Sequence, residues 1–543
     1  MPTGCGHRIT LQDLSDYGAF AAREADLNLS FVLDVNFGRS VSPALAAAHV
    51  AAVGEAGLWS RVHAVEIGNE QDHYARMSAQ EQRSTGAAHR SMGYHYREYA
   101  GEFGSYVTAL RVAGLPPKRV QGGTWCCAPN RMDQGARVAC AGGFLSNLSN
   151  YLHGFAADLL SFSYHRYPTN HCAGGQVTPA ELLADHASIG MAEWLAPLAA
   201  SAAALSIDFV VGESNSVACG GISGVSDTFA SALWVLDFLP QLSKAGVRMV
   251  NFHGGTDVVY TPIGFGSDGA LQVHAACPKH MSSMITNPCM VETSLHHTSA
   301  PCPSSPPNNH PTPLQVRPLF YGLRLFAELT SNSSVWLDSR GTFSGRSPDV
   351  PTADPLCIRG LQKASACCAA SCGVCGGSDC DMRPGGGSAC CGHAISTSGR
   401  SCTAIGPPCL IDLSFQRSPV TQHATIDAHG TVRVLTVARS VKERASAPRQ
   451  TTACVPCSAN LVSAREAMLI RLEAPSLDSS FRAPITLGGQ TWSRSTDGMP
   501  SGVRQYERVR GVLVPVGQES TSQECFHFEL PPLSAAMLVV PAL

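Results

Sequence analysis

Between residues 12 and 330 the chain alternates short apolar runs with helical stretches, and that alternation leaves few folds open. Six runs read as strands: 29–36 (LSFVLDVN), 62–69 (VHAVEIGN), 119–125 (RVQGGTW), 159–165 (LSFSYH from Leu160), 207–213 (IDFVVGE) and 247–253 (VRMVNFH). Most are continuous apolar segments, as strands buried on both faces of a parallel sheet are. Helical stretches separate them. One is the alanine-rich 43–57, another is 94–113, and a third is 227–245. In the last, Phe229, Leu233, Leu236 and Leu239 fall on one face, and Ser226 stands where it can cap the start. The expected class is therefore α/β, a parallel sheet wound with helices. From about residue 336 strand-like pieces at 431–437, 467–473, 511–516, 525–530 and 536–540 replace the alternation, which predicts a C-terminal antiparallel β-sandwich. The expected domains are 1–335, with a loop insertion at 277–316, and 336–543, with a cysteine-rich insertion at 355–410.

Charge excludes several partners. The formal net charge is −3, from 38 basic and 41 acidic residues, so no basic field attracts nucleic acid or an anionic membrane. No stretch of about 18 apolar residues predicts a membrane span.

Cysteine places the chain. There are 22, ten of them between Cys357 and Cys409, a density that belongs to an oxidising compartment. Sequons at Asn28, Asn147 and Asn332 agree with secretion. The opening MPTGCGHRITLQDLSDY carries no apolar leader, so the reading expects further sequence upstream of Met1. Within 357–409 disulfides are expected. Zinc, with His393 nearby, is the alternative, but only one C-x2-C pair (Cys372, Cys375) stands there. Cys454-x2-Cys457 is expected to form a structural hairpin bridge, with a redox-active pair as the alternative. His274, His280, His296, His297 and His310 lack ligand spacing.

Two carboxylates stand at strand ends. VEIGNEQDHY closes one run with Asn69 and Glu70, and VVGESNS closes another with Glu213. The C-terminal ends of parallel barrel strands are where such barrels build active sites. Strict alternation would put Glu66, Gly68 and Glu70 on one face. Glu66 then lies about 13 Å along an extended strand from Glu70, too far for a carboxyl pair that works at about 5–5.5 Å. Glu213 is the better placed partner. Either glutamate alone is more often a solvated residue; the flanking Gly68 and Gly212, which permit sharp turns, strengthen the pair.

These segments resemble glycoside hydrolase family 79. The resemblance rests on IGNE at 67–70, SYHRYP at 163–168, GESNSVACGG at 212–221, GVSDTFASALWVLDFL at 224–239 and VNFHGG at 250–255. It resumes at LFYGLRLFAEL (319–329) and at the closing PPLSAAMLVV. The block around Glu213 is long and specific, whereas the Glu70 motif is shared across the clan. The family contains β-glucuronidases and heparanase-like enzymes. It implies a (β/α)8 barrel with a β-sandwich, and a retaining hydrolase acting on oligosaccharide, polysaccharide or glycoconjugate. Carried over, Glu70 is the acid/base with a raised pKa, Glu213 the nucleophile, and Asn69 the residue that bonds the sugar 2-hydroxyl. His165 and Tyr167 either line the sugar site or pack beneath its loops. Tyr260 is a candidate for the substrate carboxylate or a hydroxyl. Trp125 is either a stacking platform or core. No cofactor or metal is implied.

The sequence departs from the family in two places. Gln71 stands where the family has proline. Six strand candidates are found where a closed barrel has eight, and the first two, with their Arg/Gly/Asn-rich motif, have no counterpart. Two other readings stay open: a carbohydrate-binding or cell-surface protein on an impaired barrel, and a clan relative cleaving a neutral sugar.

Overall fold

The computed structural model describes residues 14–16, 18–20, 29–38, 41–74, 90–91, 93–127, 143–172, 174–254, 258–264, 315–337, 393–395, 402–404, 420–439, 449–456, 465–493, 495, 498–516 and 521–542. The insertion at 277–316 therefore lies almost wholly outside the described residues, as do Asn28 and Cys457. Of the cysteine-rich segment only a backbone hairpin, His393–Ile395 against Cys402–Ala404, is described, so its expected disulfides lie outside too.

All six strand candidates form strands: β1 (Phe31–Val35), β2 (Val62–Ile67), β3 (Val120–Trp125), β4 (Leu159–His165), β5 (Asp208–Ser214) and β6 (Val247–Phe252). They pair in chain order, every pair parallel. The helices between them are α1 (Pro43–Glu55), α2 (Tyr96–Val112), α3 (Leu148–Phe155), α4 (Ile189–Ala203) and α5 (Phe229–Lys244). This sheet is a curled half-barrel, not a closed (β/α)8 barrel: among the described residues β1 and β6 are its edges. Asp34 on β1 is accordingly exposed, its Oδ1 accepting from Gly68 N at 3.0 Å.

Local packing explains the unusual strand β3. A Cβ on Gly122 would fall 2.3 Å from Tyr151 Oη, and one on Gly123 would fall 2.4 Å from Phe162. The missing side chains make room for an aromatic cluster in which Trp125 is fully buried against Tyr99, Phe144, Tyr151 and Phe162. Trp125 is therefore core and offers no face to a sugar.

Helix α5 is buried on every side, because the half-barrel lies against one face and the sandwich against another. Ser226 does not cap it. The N-cap is Thr228, whose hydroxyl donates to Val225 O, while Ser226 Oγ accepts from Ile222 N. Helix α6 (Pro318–Leu329) packs alongside α5.

The C-terminal unit contains β7 (Val335–Leu337), β8 (Val420–Ile426), β9 (Val432–Ala438), β10 (Arg449–Pro456), β11 (Glu466–Glu473), β12 (Glu507–Val516), β13 (Thr521–Leu530) and β14 (Ala535–Val540). Their order is β7-β8-β9-β14-β11-β12-β13-β10, antiparallel throughout. Leu469, Val434, Phe526, Phe528 and Leu538 form their own core, whereas Leu435, Val437, Leu472 and Met537 join the core of the half-barrel. Cys454 on β10 is bonded to Cys525 on β13, directly opposite, which corrects the expected Cys454–Cys457 bridge.

A buried polar cluster joins the two units. Asp237 of α5 accepts from Ser188 and faces His423 Nε2 (2.9 Å) on β8 and Arg439 Nε (3.6 Å) beyond β9. Burial, Lys244 and Arg439 press the His423 imidazole down to about 4, against the pull of Asp237. At neutral pH it is thus the uncharged member of the cluster.

Candidate active site

The strand ends bring Glu70, His165, Tyr167, Glu213 and His253 together. Glu70 does not sit on the alternating face of β2. The strand stops at Ile67, and Gly68 (φ 70°) and Glu70 (φ 50°) are left-handed, so a turn carries the carboxyl inward. The turn is tied to β3 by Glu70 N donating to Thr124 O at 3.0 Å. Glu66 behind it accepts from Gln121 on β3.

Glu213 is positioned from both neighbours of β5. Its carbonyl accepts from Arg166 N at 3.0 Å, and Ser214 O accepts from His253 N at 2.9 Å. Gly212 lets β4 and β5 close beneath it: a Cβ there would sit 2.1 Å from Ser163 Oγ. Above the strands, Cys172 and Cys219 form a disulfide, beside the paired segments Thr169–Asn170 and Val217–Ala218. This ties the loop after Tyr167 to the loop after Glu213.

His165 lies between the carboxylates, its side chain only 3% exposed against 32% for Glu70 and 27% for Glu213. Its Nδ1 is 3.1 Å from Glu70 Oε1 and 3.8 Å from Glu213 Oε2. One carboxylate oxygen of Glu70 and one of Glu213 lie within 4.8 Å of each other. Tyr167 Oη donates to Glu213 Oε1 at 2.8 Å, and His253 Nδ1 is 3.9 Å from that oxygen.

The proton is not where the sequence reading put it. Burial favours a neutral Glu70, but the hydrogen bond and charge of His165, then His73 and Cys126, outweigh it and hold the carboxyl below its usual range. Burial works against a charged His165, yet Glu70, Glu213 and Glu66 together raise the imidazole to about 9. The expected elevation of Glu70 by Glu213 is thus overturned in the free protein, because a cationic histidine stands between them.

A pH dependence follows. The folded pKa of His165 is raised, so its contribution to stability is complete below about pH 6.5 and is lost as pH rises through about 9. Its upper bound is about 3 kcal/mol. The denaturation midpoint of the protein should fall between pH 6.5 and 9.5, and His165→Gln should lack that fall; parallel curves for the two would contradict the assignment.

Tyr260 is buried, and its hydroxyl is bonded to His253 Nδ1. It therefore backs His253 and does not present that hydroxyl to a ligand. Asn69 is exposed beside Glu70. His253 and Cys126 were not singled out from sequence, and Gln71 was noted only as standing where the resembled family has proline. The VNFHGG motif contains His253, and a histidine ending a barrel strand was the available signal.

Two groups could offer metal ligands. In the first, Glu70, His165 and Glu213 each offer one ligand atom, all within 4.8 Å of one another. In the second, His73, Cys126 and Cys127, Cys127 is disulfide-bonded and so is no thiolate donor.

The fold is similar to that of solved glycoside hydrolases. A structure of a 4-O-α-L-rhamnosyl-β-D-glucuronidase from Fusarium oxysporum 12S matches 99% of this chain and 82% of its own, with a TM-score of 0.57 and 13% identity. A family 51 arabinofuranosidase from Xanthomonas axonopodis pv. citri covers 97% of this chain and 78% of its own, at a TM-score of 0.48 and 11% identity. No family model matches the sequence. No curated protein matches it either.

Proposed function

We propose that the chain is a retaining glycoside hydrolase acting on uronic-acid glycosides, with Glu213 as nucleophile and Glu70 as general acid/base. One observation carries the reading: two partly exposed carboxylates from different strand ends, with oxygens within 4.8 Å, share a buried histidine. Double displacement uses carboxyls about 5–5.5 Å apart, whereas inversion needs about 6.5–9.5 Å to seat a water. Glu213 attacks the anomeric carbon, and Tyr167 orients its Oε1. Glu70 protonates the departing oxygen. In the free protein that proton rests on His165; substrate strips water from Glu70, which favours the neutral carboxyl and draws the proton across the 3.1 Å bond. Water then hydrolyses the glycosyl ester with Glu70 as base.

The uronic acid assignment draws on the family 79 motifs and on the glucuronidase among the similar folds. Asn69, exposed next to Glu70, is assigned in this reading to a sugar hydroxyl, as the family 79 resemblance implies. The disulfides suit a secreted enzyme. No described helix is long and apolar enough to cross a membrane.

The test is hydrolysis of 4-nitrophenyl β-glucuronide beside the β-glucoside, with the product anomer followed by NMR. The expected result is preference for the glucuronide and a β-configured first product. An α-configured first product would refute the mechanism, and preference for the glucoside would refute the substrate. The open edge at β1, with Asp34 exposed, favours a second reading as a carbohydrate-binding protein. Saturable binding of glucuronides without turnover would establish it.

A further inference from the structure

We propose that Gln71 and Thr124 form a buried strut that positions Glu70, holding its turn so that the carboxyl reaches His165 and Glu213. This rests on the catalytic reading of Glu70 above. The turn Gly68-Asn69-Glu70 is built from backbone that resists itself. Glu70 is left-handed at φ 50° and ψ 49°, a conformation that costs any residue with a Cβ. Gly68 cannot be replaced by a stiffer residue, since a Cβ would fall 2.4 Å from Phe37 Cβ and 2.9 Å from Gln71 Nε2. Something outside the turn must therefore keep it closed.

Gln71 does this from beneath. It is fully buried, and its Nε2 donates to Ile67 O at 2.7 Å, so one side chain spans the turn from the end of β2 to the residue after Glu70. Its Oε1 lies 3.0 Å from Thr124 Oγ1, whose one proton is shared among that oxygen, Gly68 O at 3.0 Å and Gly123 O at 2.7 Å. Thr124 in turn accepts from Glu70 N at 3.0 Å through its carbonyl. Thr124 is left-handed as well (φ 50°), where the register between β3 and β4 shifts. That bulge aims its hydroxyl at the turn. The amide orientation of Gln71 is fixed by Ile67, which offers only a carbonyl and so takes the Nε2 donor. A proline at 71, as in the resembled family, would make neither bond. Gln71 holds by side-chain bonds what a ring would hold by stiffness.

The strut is a positioning element; neither residue touches the reacting atoms. Its readout is the His165 imidazole, faced by Glu70, Glu213 and Glu66, since His165 reports how close Glu70 stands. Gln71→Met keeps length and apolar volume without either bond. Thr124→Val removes the hydroxyl, and Thr124→Ser keeps it. NMR titration of His165 should show its midpoint lowered by about one pH unit or more in Gln71→Met and Thr124→Val, and unchanged in Thr124→Ser. Turnover of phenyl β-glucuronide, a poor leaving group, should fall about tenfold or more in the first two, while the 2,4-dinitrophenyl glycoside falls far less. A folded Gln71→Met with the wild-type titration would overturn the proposal. So would Thr124→Ser shifting as far as Thr124→Val. Should Gln71→Met fail to fold, the two Thr124 variants decide. If the wild type cleaves no aryl glycoside, the hydrolase reading fails, and the titration still decides the strut.

Discussion

Glu213→Ala is expected to lose about ten-thousandfold or more in kcat on 4-nitrophenyl β-glucuronide while the protein stays folded. The loss is large because no second group stands ready to attack. In the proposed mechanism Glu70 serves the leaving group, and Glu66 is engaged with Gln121. The fold survives because Glu213 is partly exposed, so truncation leaves Tyr167 Oη facing solvent and no charge stranded in a dry core. His165 loses one of its anions, and its pKa should drop. Azide should enter the vacated space and give the α-glycosyl azide, with inverted configuration. Residual turnover within about tenfold of wild type, with a β-configured product, would remove Glu213 from the mechanism.

The second large effect is on stability. Asp237→Ala should destabilise the protein by about 3–5 kcal/mol in chemical denaturation, with kcat per folded molecule unchanged. Asp237 is 2% exposed and faces both His423 and Arg439 in this buried cluster. Removing it strands the Arg439 guanidinium, 4% exposed, with Asp185 at the rim as its remaining ion partner. Ser188 loses its acceptor at the same time. Asp237 makes none of the contacts of Glu70 or Glu213, so chemistry should be spared. A change below about 1 kcal/mol would mean that the cluster relaxes or hydrates on truncation.

The half-barrel was legible because its strands are buried on both faces. Runs such as 207–213 stay apolar whichever way each residue points, so no periodicity had to be read. Strands β8 and β10 were missed for the opposite reason. VTQHATI and RQTTACVP are mostly polar, and their burial depends on partners far along the chain. The two carboxylates were legible from their place after apolar runs. Their protonation was not, since it depends on His165, 95 residues from Glu70 in sequence. The strut at Gln71 was likewise beyond reach: the sequence shows a glutamine where the resembled family has proline, but its partner Thr124 is brought to it only by the fold. Cys454 shows the same limit. Its neighbour at Cys457 suggested a local bridge, whereas strand register selects Cys525, 71 residues away.

Helix α5 bears on how this protein can be handled and how it can evolve. It is buried around its whole circumference, with Trp234, Phe238 and Leu242 covered along with the residues between them. A gene fragment ending near residue 336 would turn one flank of that helix to water, so the domain boundary expected there is a poor place to cut. Recombination that exchanged the sandwich for another module would meet the same barrier. The two halves share one hydrophobic interior, and their lineages are expected to be inherited as a unit rather than shuffled.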